Sequence, residues 1–279
     1  DGDELARSMV KAQPKVAIHL AARVDSSEEA SLEEYRVNME GTENFLAAVS
    51  RTGSVQRAIV ASTQFVCRPG YYPDHMMDYS PHTAYGESKV VAEKLTRESD
   101  PDAVWTIVRP TTIWGPWLIR HVHQIFRVIG WRLYLHPGND STKRCWGYVK
   151  NVTNQIWSIL NARPSDVHRR VLYLGDPPIA LEDWVDEVSR QMIGRDAYRV
   201  PPGVVKAIAR VGQALKKVGL SFPLTMTRYR SMTTDYLVPM EPTFKALGSP
   251  RYDLDEGVRQ TLAWLNEYKN STLLQRRAR

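Results

Sequence analysis

Four short apolar runs, separated by stretches of helical periodicity, set the strongest limit on how this chain folds. They are KVAIHLAA (Lys15–Ala22), RAIVAST (Arg57–Thr63), WTIVRP (Trp105–Pro110) and RVLYLG (Arg170–Gly175). Such short continuous runs read as strands buried on both faces, because a strand with one wet face would alternate. Helical segments cover Leu32–Ser50, Ala84–Ser99 and Asn151–Ala162, and an amphipathic helix spans Asp3 to about Ala12. Gln13-Pro14 ends that first helix, since proline disfavours α geometry in the residue before it. Strand and helix alternating at this spacing imply βαβ units and a parallel sheet covered on both faces. After Gly175 the texture changes to helices: LEDWVDEVSRQM, GVVKAIARVGQALKKVG (Gly203–Gly219), EPTFKALGSP and LDEGVRQTLAWLNEY (Leu254–Tyr268).

With 279 residues, 43% of them hydrophobic, the chain can bury the core of one large or two fused domains. Its formal charge of +6 comes from many scattered Lys and Arg, and reads either as a solvated basic surface or as attraction for phosphate-bearing ligands. No basic cluster interleaved with exposed aromatics points to nucleic acid. Cys67 and Cys145 are far apart and support neither a disulfide framework nor a zinc site. His121 and His123, two residues apart, would face different sides of a helix, so no metal site is expected there. No apolar run reaches the roughly 18–20 residues of a membrane span, so no stable membrane insertion is expected and a cytoplasmic location is the default. The basic, amphipathic segment Gly203–Gly219 suits a membrane-surface helix. Its stripe of Val204, Ile208, Val211 and Leu215 is of ordinary width, which favours packing on the domain instead.

The stretch TAYGESK (Thr83–Lys89) carries the first hint of chemistry. Residues four apart share one helix face, so the Lys89 ammonium comes within reach of the Tyr85 ring. A nearby cation stabilises phenolate and suits a general acid/base acting on a hydroxyl or carbonyl. With 13 tyrosines in the chain, chance alone would supply such a pair roughly every second time. Upstream, Ser62-Thr63 closes a buried strand at the carboxyl edge, where open α/β sheets bind ligands; a cap or strand-end hydrogen bond is the plainer role. HLAA (His19–Ala22) ends a strand in small residues that admit a flat ligand or pack the core. Asn38, Gly41 and Thr42 lie early in a helix, where glycine is costly unless another backbone packs closely.

The order of these pieces resembles the extended short-chain dehydrogenase/reductase family, in its NAD-dependent epimerase/dehydratase branch. The resemblance runs through QPKVAIHLAA, VNMEGTENFL, AIVASTQFV, PHTAYGESKVVAEKL, IVRPTTIWGPW, RCWGYVKNV, VLYLGDPP and ALGSPRYDLDEGVRQTLAW. It implies an α/β fold: a doubly wound parallel, Rossmann-like sheet lacking its first strands, with a smaller, mostly helical C-terminal substrate domain. The expected division is 1–116 with 146–177 for the dinucleotide and 117–145 with 178–279 for the substrate. The resemblance casts Tyr85 as acid/base, and Lys89 as lowering its pKa and holding the nicotinamide ribose. Thr63 would hydrogen-bond the reacting oxygen, Ala21 and Ala22 would face the cofactor, and Pro110 would border the nicotinamide. Arg144 would contact a nucleotide diphosphate, a task for a planar fork, and Thr112 the substrate. The implied cofactor is NAD, with NADP left open. The implied partners are a nucleotide-sugar substrate and a second copy, pairing through Leu32–Ser50 and Ala84–Ser99.

Three departures qualify that picture. No Gly-x-x-Gly-x-x-Gly precedes HLAA, so the expectation is a fragment of a longer product, poor at holding the dinucleotide's pyrophosphate by itself and with VAIHLAA as an exposed edge. Gln64 and Phe65 stand where sugar dehydratases carry Asp-Glu, which argues against elimination. Thr112 replaces the family's usual asparagine and Trp114 its usual tyrosine. The leading expectation is an NAD-dependent nucleotide-sugar epimerase working through a transient keto intermediate. The competing ones are a dehydrogenase or reductase of a steroid- or flavonol-like hydroxyl, supported by Thr112, Trp114, Trp117 and Trp131, and a non-catalytic truncated member.

Overall fold

The computed structural model describes residues 1–24, 30–138, 142–220 and 222–277, with side chains for all of these except 119–124 and 269–277. Along the chain run α1 (Gly2–Ala12), β1 (Val16–His19), α2 (Arg36–Thr52), β2 (Arg57–Ala61), α3 (Ala84–Ser99), β3 (Val104–Pro110) and β4 (Thr112–Trp114). Next come α4 (Ile119–Gly130), β5 (Leu135–Pro137), β6 (Lys143–Arg144), β7 (Trp146–Tyr148), α5 (Val149–Asn161), α6 (Pro164–Val167), β8 (Arg170–Leu174) and β9 (Ile179–Ala180). The remainder holds α7 (Leu181–Ile193), β10 (Tyr198–Val200), α8 (Pro202–Lys217), α9 (Met226–Thr233), α10 (Glu241–Leu247) and α11 (Leu254–Arg277).

The four apolar runs form one α/β sheet in the order β1-β2-β3-β8, with every pair parallel. Ile18 lies opposite Ile59, Val60 opposite Ile107 and Val108 opposite Leu172. β1 is an edge, and Val16 and Ile18 are 41% and 38% exposed while Ala17 between them is buried. α1 ends at Gln13, which takes the left-handed conformation just before Pro14. It packs with α2 over the sheet, burying Ala6, Met9, Phe45 and Val49 with Val60, Trp105 and Ile107.

The chain divides into two compact units, Asp1–Thr112 with Asn151–Asp176 and Val238–Pro250, and Ile113–Lys150 with Pro177–Leu237 and Arg251–Arg279. The sequence-based division gave all of 178–279 to the second domain. The first unit includes Val238–Pro250 because Thr243 on α10 is buried and donates to the Tyr173 carbonyl of β8 at 2.7 Å.

Within the first unit, α3 is tied to the sheet by a buried ion cluster. Glu93 and Arg109 are both fully buried, with Arg109 Nε 2.7 Å and Nη2 2.9 Å from the two carboxylate oxygens. The guanidinium lies between the rings of Tyr79 and Tyr173, about 5 Å from each centroid. Tyr79 Oη (2.8 Å) and Arg97 Nη2 (3.1 Å) also donate to Glu93, and Arg109 donates to the Tyr173 hydroxyl and the Met76 carbonyl. One carboxylate thereby fixes α3, β3, β8 and the loop before α3.

The second unit is organised around Trp184 on α7. Trp114, Phe126 and Trp146 meet its ring edge-on at centroid distances of 5.5, 5.7 and 4.6 Å. Here α8 departs from expectation. Val205, Ala209 and Gly212 are its buried positions, and Val204 and Val211 of the expected stripe are exposed. The cause is the returning chain, which crosses α8 so closely that a Cβ at Gly212 would collide with the Leu224 carbonyl and the Phe222 ring. Only the small-residue face admits a backbone at that distance.

Gly41 also differs from expectation. Among the described residues no other backbone packs against it, and an added Cβ would meet only the His19 ring at 3.9 Å. Gly41→Ala is therefore expected to stabilise α2 by up to about 1 kcal/mol, read as a higher urea midpoint. For Glu93, burial pushes the carboxyl pKa up, but the hydrogen bonds and charge of Arg109 outweigh it and hold the group below its ordinary range. A depressed folded pKa means this stabilisation is complete at neutral pH and lost as pH falls below roughly 4.3. Glu93→Ala alone should cost about 3–5 kcal/mol in urea unfolding at pH 7, because it strands the Arg109 charge. Glu93→Leu with Arg109→Met should recover much of that loss.

Candidate active site

The carboxyl ends of β1, β2 and β3 lie side by side, since His19 pairs with Val60 and Ala61 with Val108 in a parallel sheet. Thr63, just past β2, caps a short 3-10 turn at Gln64–Val66, its Oγ1 accepting from the Phe65 amide at 3.2 Å. α3 begins against that turn. Thr83 caps it, with Oγ1 accepting from the Gly86 amide at 3.1 Å. A Cβ at Gly86 would strike the Phe65 carbonyl, so the glycine of TAYGESK is what lets the first turn of α3 approach the end of β2. That approach places Tyr85 beside Thr63.

Tyr85 is buried. Its ring lies 6.0 Å from that of Tyr35 and edge-on to Phe65 at 6.2 Å. Burial pushes the phenol above its ordinary range, and the Thr63 hydroxyl pulls it back in part. Lys89 is not among the groups that set this pKa, contrary to the expectation from helix spacing. Its ammonium is turned to the strand instead, donating to the Ala61 carbonyl at 2.8 Å. Burial pushes Lys89 down to about 8, with Glu93, one turn further along α3, opposing the shift. Ser62 Oγ is buried beside the Glu93 carboxylate and helps to lower its pKa without forming a well-aligned bond to it.

Asn38 on α2 holds the loop after β1. Its amide oxygen accepts from the Arg23 amide at 2.7 Å, and its nitrogen donates to the Arg23 carbonyl (3.0 Å) and to Ser88 Oγ (3.1 Å). Ser88 in turn donates to the Tyr85 carbonyl at 2.8 Å, so α2, the β1 loop and α3 share one hydrogen-bonded chain. His19 stacks on Phe45 at 4.9 Å and is neutral near pH 7, its pKa pushed down to about 4 by burial and then by the Lys89 charge.

The other expected residues fall in several places. Ala21 and Ala22 are in the loop after β1, and Ala21 borders a groove of about 470 Å³ lined by Val16, Ile18, His19, Gly41 and Phe45. Pro110 is the last residue of β3, opposite Leu174. The Thr112 hydroxyl accepts from Gln64 Nε2 at 2.7 Å, which ties the end of β2 to the chain leaving β3. Arg144 belongs to the second unit, where its buried guanidinium donates to the carbonyls of Ser231 and Thr234 (3.0 Å for Thr234) at the end of α9. Its buried Nε has no partner among the described residues. Trp114 is a core residue of the Trp184 cluster, not a surface open to substrate. The side chains of His121 and His123 lie outside the described residues.

Two contributors were missed in the sequence. Glu93 was readable in principle, because Tyr85, Lys89 and Glu93 repeat every four residues on one face of α3. Tyr35 was not, since nothing local links the turn before α2 to the start of α3.

Three comparisons place this arrangement among known proteins. The N-acetyl-alpha-D-glucosaminyl-diphospho-ditrans,octacis-undecaprenol 4-epimerase of Escherichia coli O157:H7 is 27% identical over 164 residues, 57% of this chain and 49% of that protein. A 4-hydroxy-2-methyl-3-oxo-4-farnesyl-3,4-dihydroquinoline-1-oxide ketoreductase of Stigmatella aurantiaca is 27% identical over 205 residues, 70% of this chain and 60% of the relative. The chain thus spans about half the length of the first of these relatives and under two thirds of the second. The crystal structure of UDP-glucuronic acid 4-epimerase from Bacillus cereus, in complex with UDP-glucuronic acid and NAD, aligns with a TM-score of 0.69. It is 15% identical, over 95% of this chain and 79% of that one, a likeness of fold. A family match running over residues 1–175, through the sheet and the Tyr85 helix alike, makes this chain a member of the NAD dependent epimerase/dehydratase family.

Proposed function

We propose that the protein carrying this chain is an NAD-dependent epimerase of a nucleotide sugar, working through a transient keto sugar. One observation carries the reading: Tyr85, Thr63 and Lys89 converge at the carboxyl end of β2, buried and fixed by α3. NAD is the family's cofactor. Lys89 suits its ribose end, because a buried ammonium has three donors and the Ala61 carbonyl takes one, leaving two for hydroxyls. The 279 residues contain no Gly-x-x-Gly-x-x-Gly, so the fit concerns the nicotinamide end and not the pyrophosphate. Bound there, NAD supplies a hydride acceptor and donor.

The chain's own residues handle the proton. As phenolate, Tyr85 takes it from the sugar hydroxyl, becoming neutral phenol, and returns it to the same oxygen once the sugar has presented its other face. The Thr63 hydroxyl holds that oxygen in line with the phenol. Gln64 and Phe65 carry no exchangeable proton of suitable pKa, which favours epimerisation over elimination. A second reading, reduction of a carbonyl on a lipophilic substrate, draws support from the Stigmatella aurantiaca ketoreductase. Calorimetric titration with UDP separates the two: affinity supports the epimerase, and turnover of a lipophilic ketone without UDP affinity supports the reductase.

Tyr85→Phe should lower turnover by roughly 10²–10⁴-fold with an unchanged melting temperature. Since Thr63 lowers the Tyr85 pKa and it is the deprotonated phenol that takes the proton, Thr63→Val should move the rising limb of the pH–rate profile to higher pH. Lys89 has a folded pKa below its unfolded value, so its buried charge costs stability below about pH 8, and the cost fades as pH rises toward the ordinary lysine value. Lys89→Met should therefore raise the melting temperature at pH 7 by roughly 2–4 °C while abolishing activity, the gap closing at high pH.

A further inference from the structure

Helix α8 leaves an apolar face uncovered and carries only basic charges beside it. Val204, Val211 and Val218 are 47%, 58% and 72% exposed, and Leu220 beyond them is 57% exposed. Residues seven apart drift only about 20° around a helix, so these valines form one line, widened by exposed Ala207 and Ala214 and half-buried Ile208 and Leu215. The line is separate from the packed positions Val205, Ala209 and Gly212. At 100° per residue, Lys206, Arg210 and Lys217 lie along the flank of this line that is turned away from the packed face, while Lys216 shares the azimuth of the packed positions and is exposed at the end of the helix.

The charge balance here is one-sided. Residues 201–234 contain Lys206, Arg210, Lys216, Lys217, Arg228 and Arg230 and no Asp or Glu. The chain has 37 basic and 31 acidic residues, so this segment carries its entire formal excess and the remainder is neutral. Residues 201–234 are thus a markedly basic stretch, with no acidic residue among six basic ones. α9 and β5, against which α8 chiefly packs, contain no acidic residue. Lys206, Arg210, Lys216 and Lys217 make no ion pair among the described residues.

We propose that α8 docks on an anionic lipid surface, lying in its plane with Val204, Val211 and Val218 inserted and the basic flank against the headgroups. An exposed apolar line with a wholly basic border matches a bilayer interface on both counts: apolar area to insert and cations to meet phosphate. A protein partner would have to supply a long acidic and apolar strip. No helix among the described residues is long and apolar enough to cross a membrane, so the contact is interfacial.

Co-sedimentation of the full chain with phosphatidylglycerol-rich and with phosphatidylcholine vesicles tests this. Binding is expected to the anionic vesicles only, and to weaken strongly at about 0.5 M salt. Val204→Gln with Val211→Gln should reduce it by roughly tenfold or more with an unchanged circular dichroism spectrum, since both sites are exposed. Lys216→Gln with Lys217→Gln should weaken it and flatten the salt dependence, a second route should the valine variant fold poorly. Absence of binding to anionic vesicles, equal binding to neutral ones, or binding that neither variant alters would overturn the proposal. So would sedimentation velocity showing a dimer that the valine variant splits, because a second copy would then cover the face.

Discussion

The buried pair of Glu93 and Arg109 is the constraint on which the first unit depends. A carboxylate and a guanidinium removed from water are tolerable only when well hydrogen-bonded, and here Tyr79, Arg97, Tyr173 and Met76 add to the bonds the pair makes with itself. Those partners come from α3, β3, β8 and the loop preceding α3. Satisfying one carboxylate thus fixes the axial position and rotation of α3 on the sheet. Since Lys89 and Tyr85 lie one and two turns earlier on the same face, the ion pair aims them as well.

The same helix is set from its other end by a steric constraint. Gly86 permits contact with the Phe65 carbonyl, and Thr83 caps the first turn. The result is a phenol, a hydroxyl and an ammonium held together at a sheet edge, with their protonation governed mainly by burial. Tyr85 is raised and Lys89 lowered by the same desolvation, so both lean toward their neutral forms. A site built this way is poised for proton exchange with a ligand that excludes water, and the cost of that poise is carried by the packing around Glu93.

The second unit follows different logic. Its core is an aromatic cluster around Trp184, and its short ladders, β5 with β10 and β6 with β9, are too brief for periodicity to reveal. Arg144 belongs to that scaffold as much as to any ligand, because its guanidinium closes the end of α9. α8 packs through Val205, Ala209 and Gly212 and leaves Val204 and Val211 outside, an arrangement that the order of apolar residues alone could not reveal.

The sequence by itself determined the parallel sheet. Four continuous apolar runs, spaced by helices, allow little else, and the four strands of the sheet fall within those runs apart from Val104, which starts β3 one residue earlier. Family membership was legible for the same reason: the order of local motifs survives in one dimension. Spacing put Thr63 at a strand end and Tyr85 and Lys89 on one helix face, and the resemblance of the motif order to the family is what singled them out as candidates. Which charge acts on which group was not legible. Helical spacing pairs Tyr85 with Lys89, but the Lys89 ammonium has a choice between a ring one turn away and a strand carbonyl, and the tertiary structure gives it the carbonyl of Ala61. The role of Val238–Pro250 in the first unit, the burial of Trp114 and the outward face of α8 were likewise decided in three dimensions. Each depends on which backbone passes close by, and contacts across many tens of residues leave no local pattern to read.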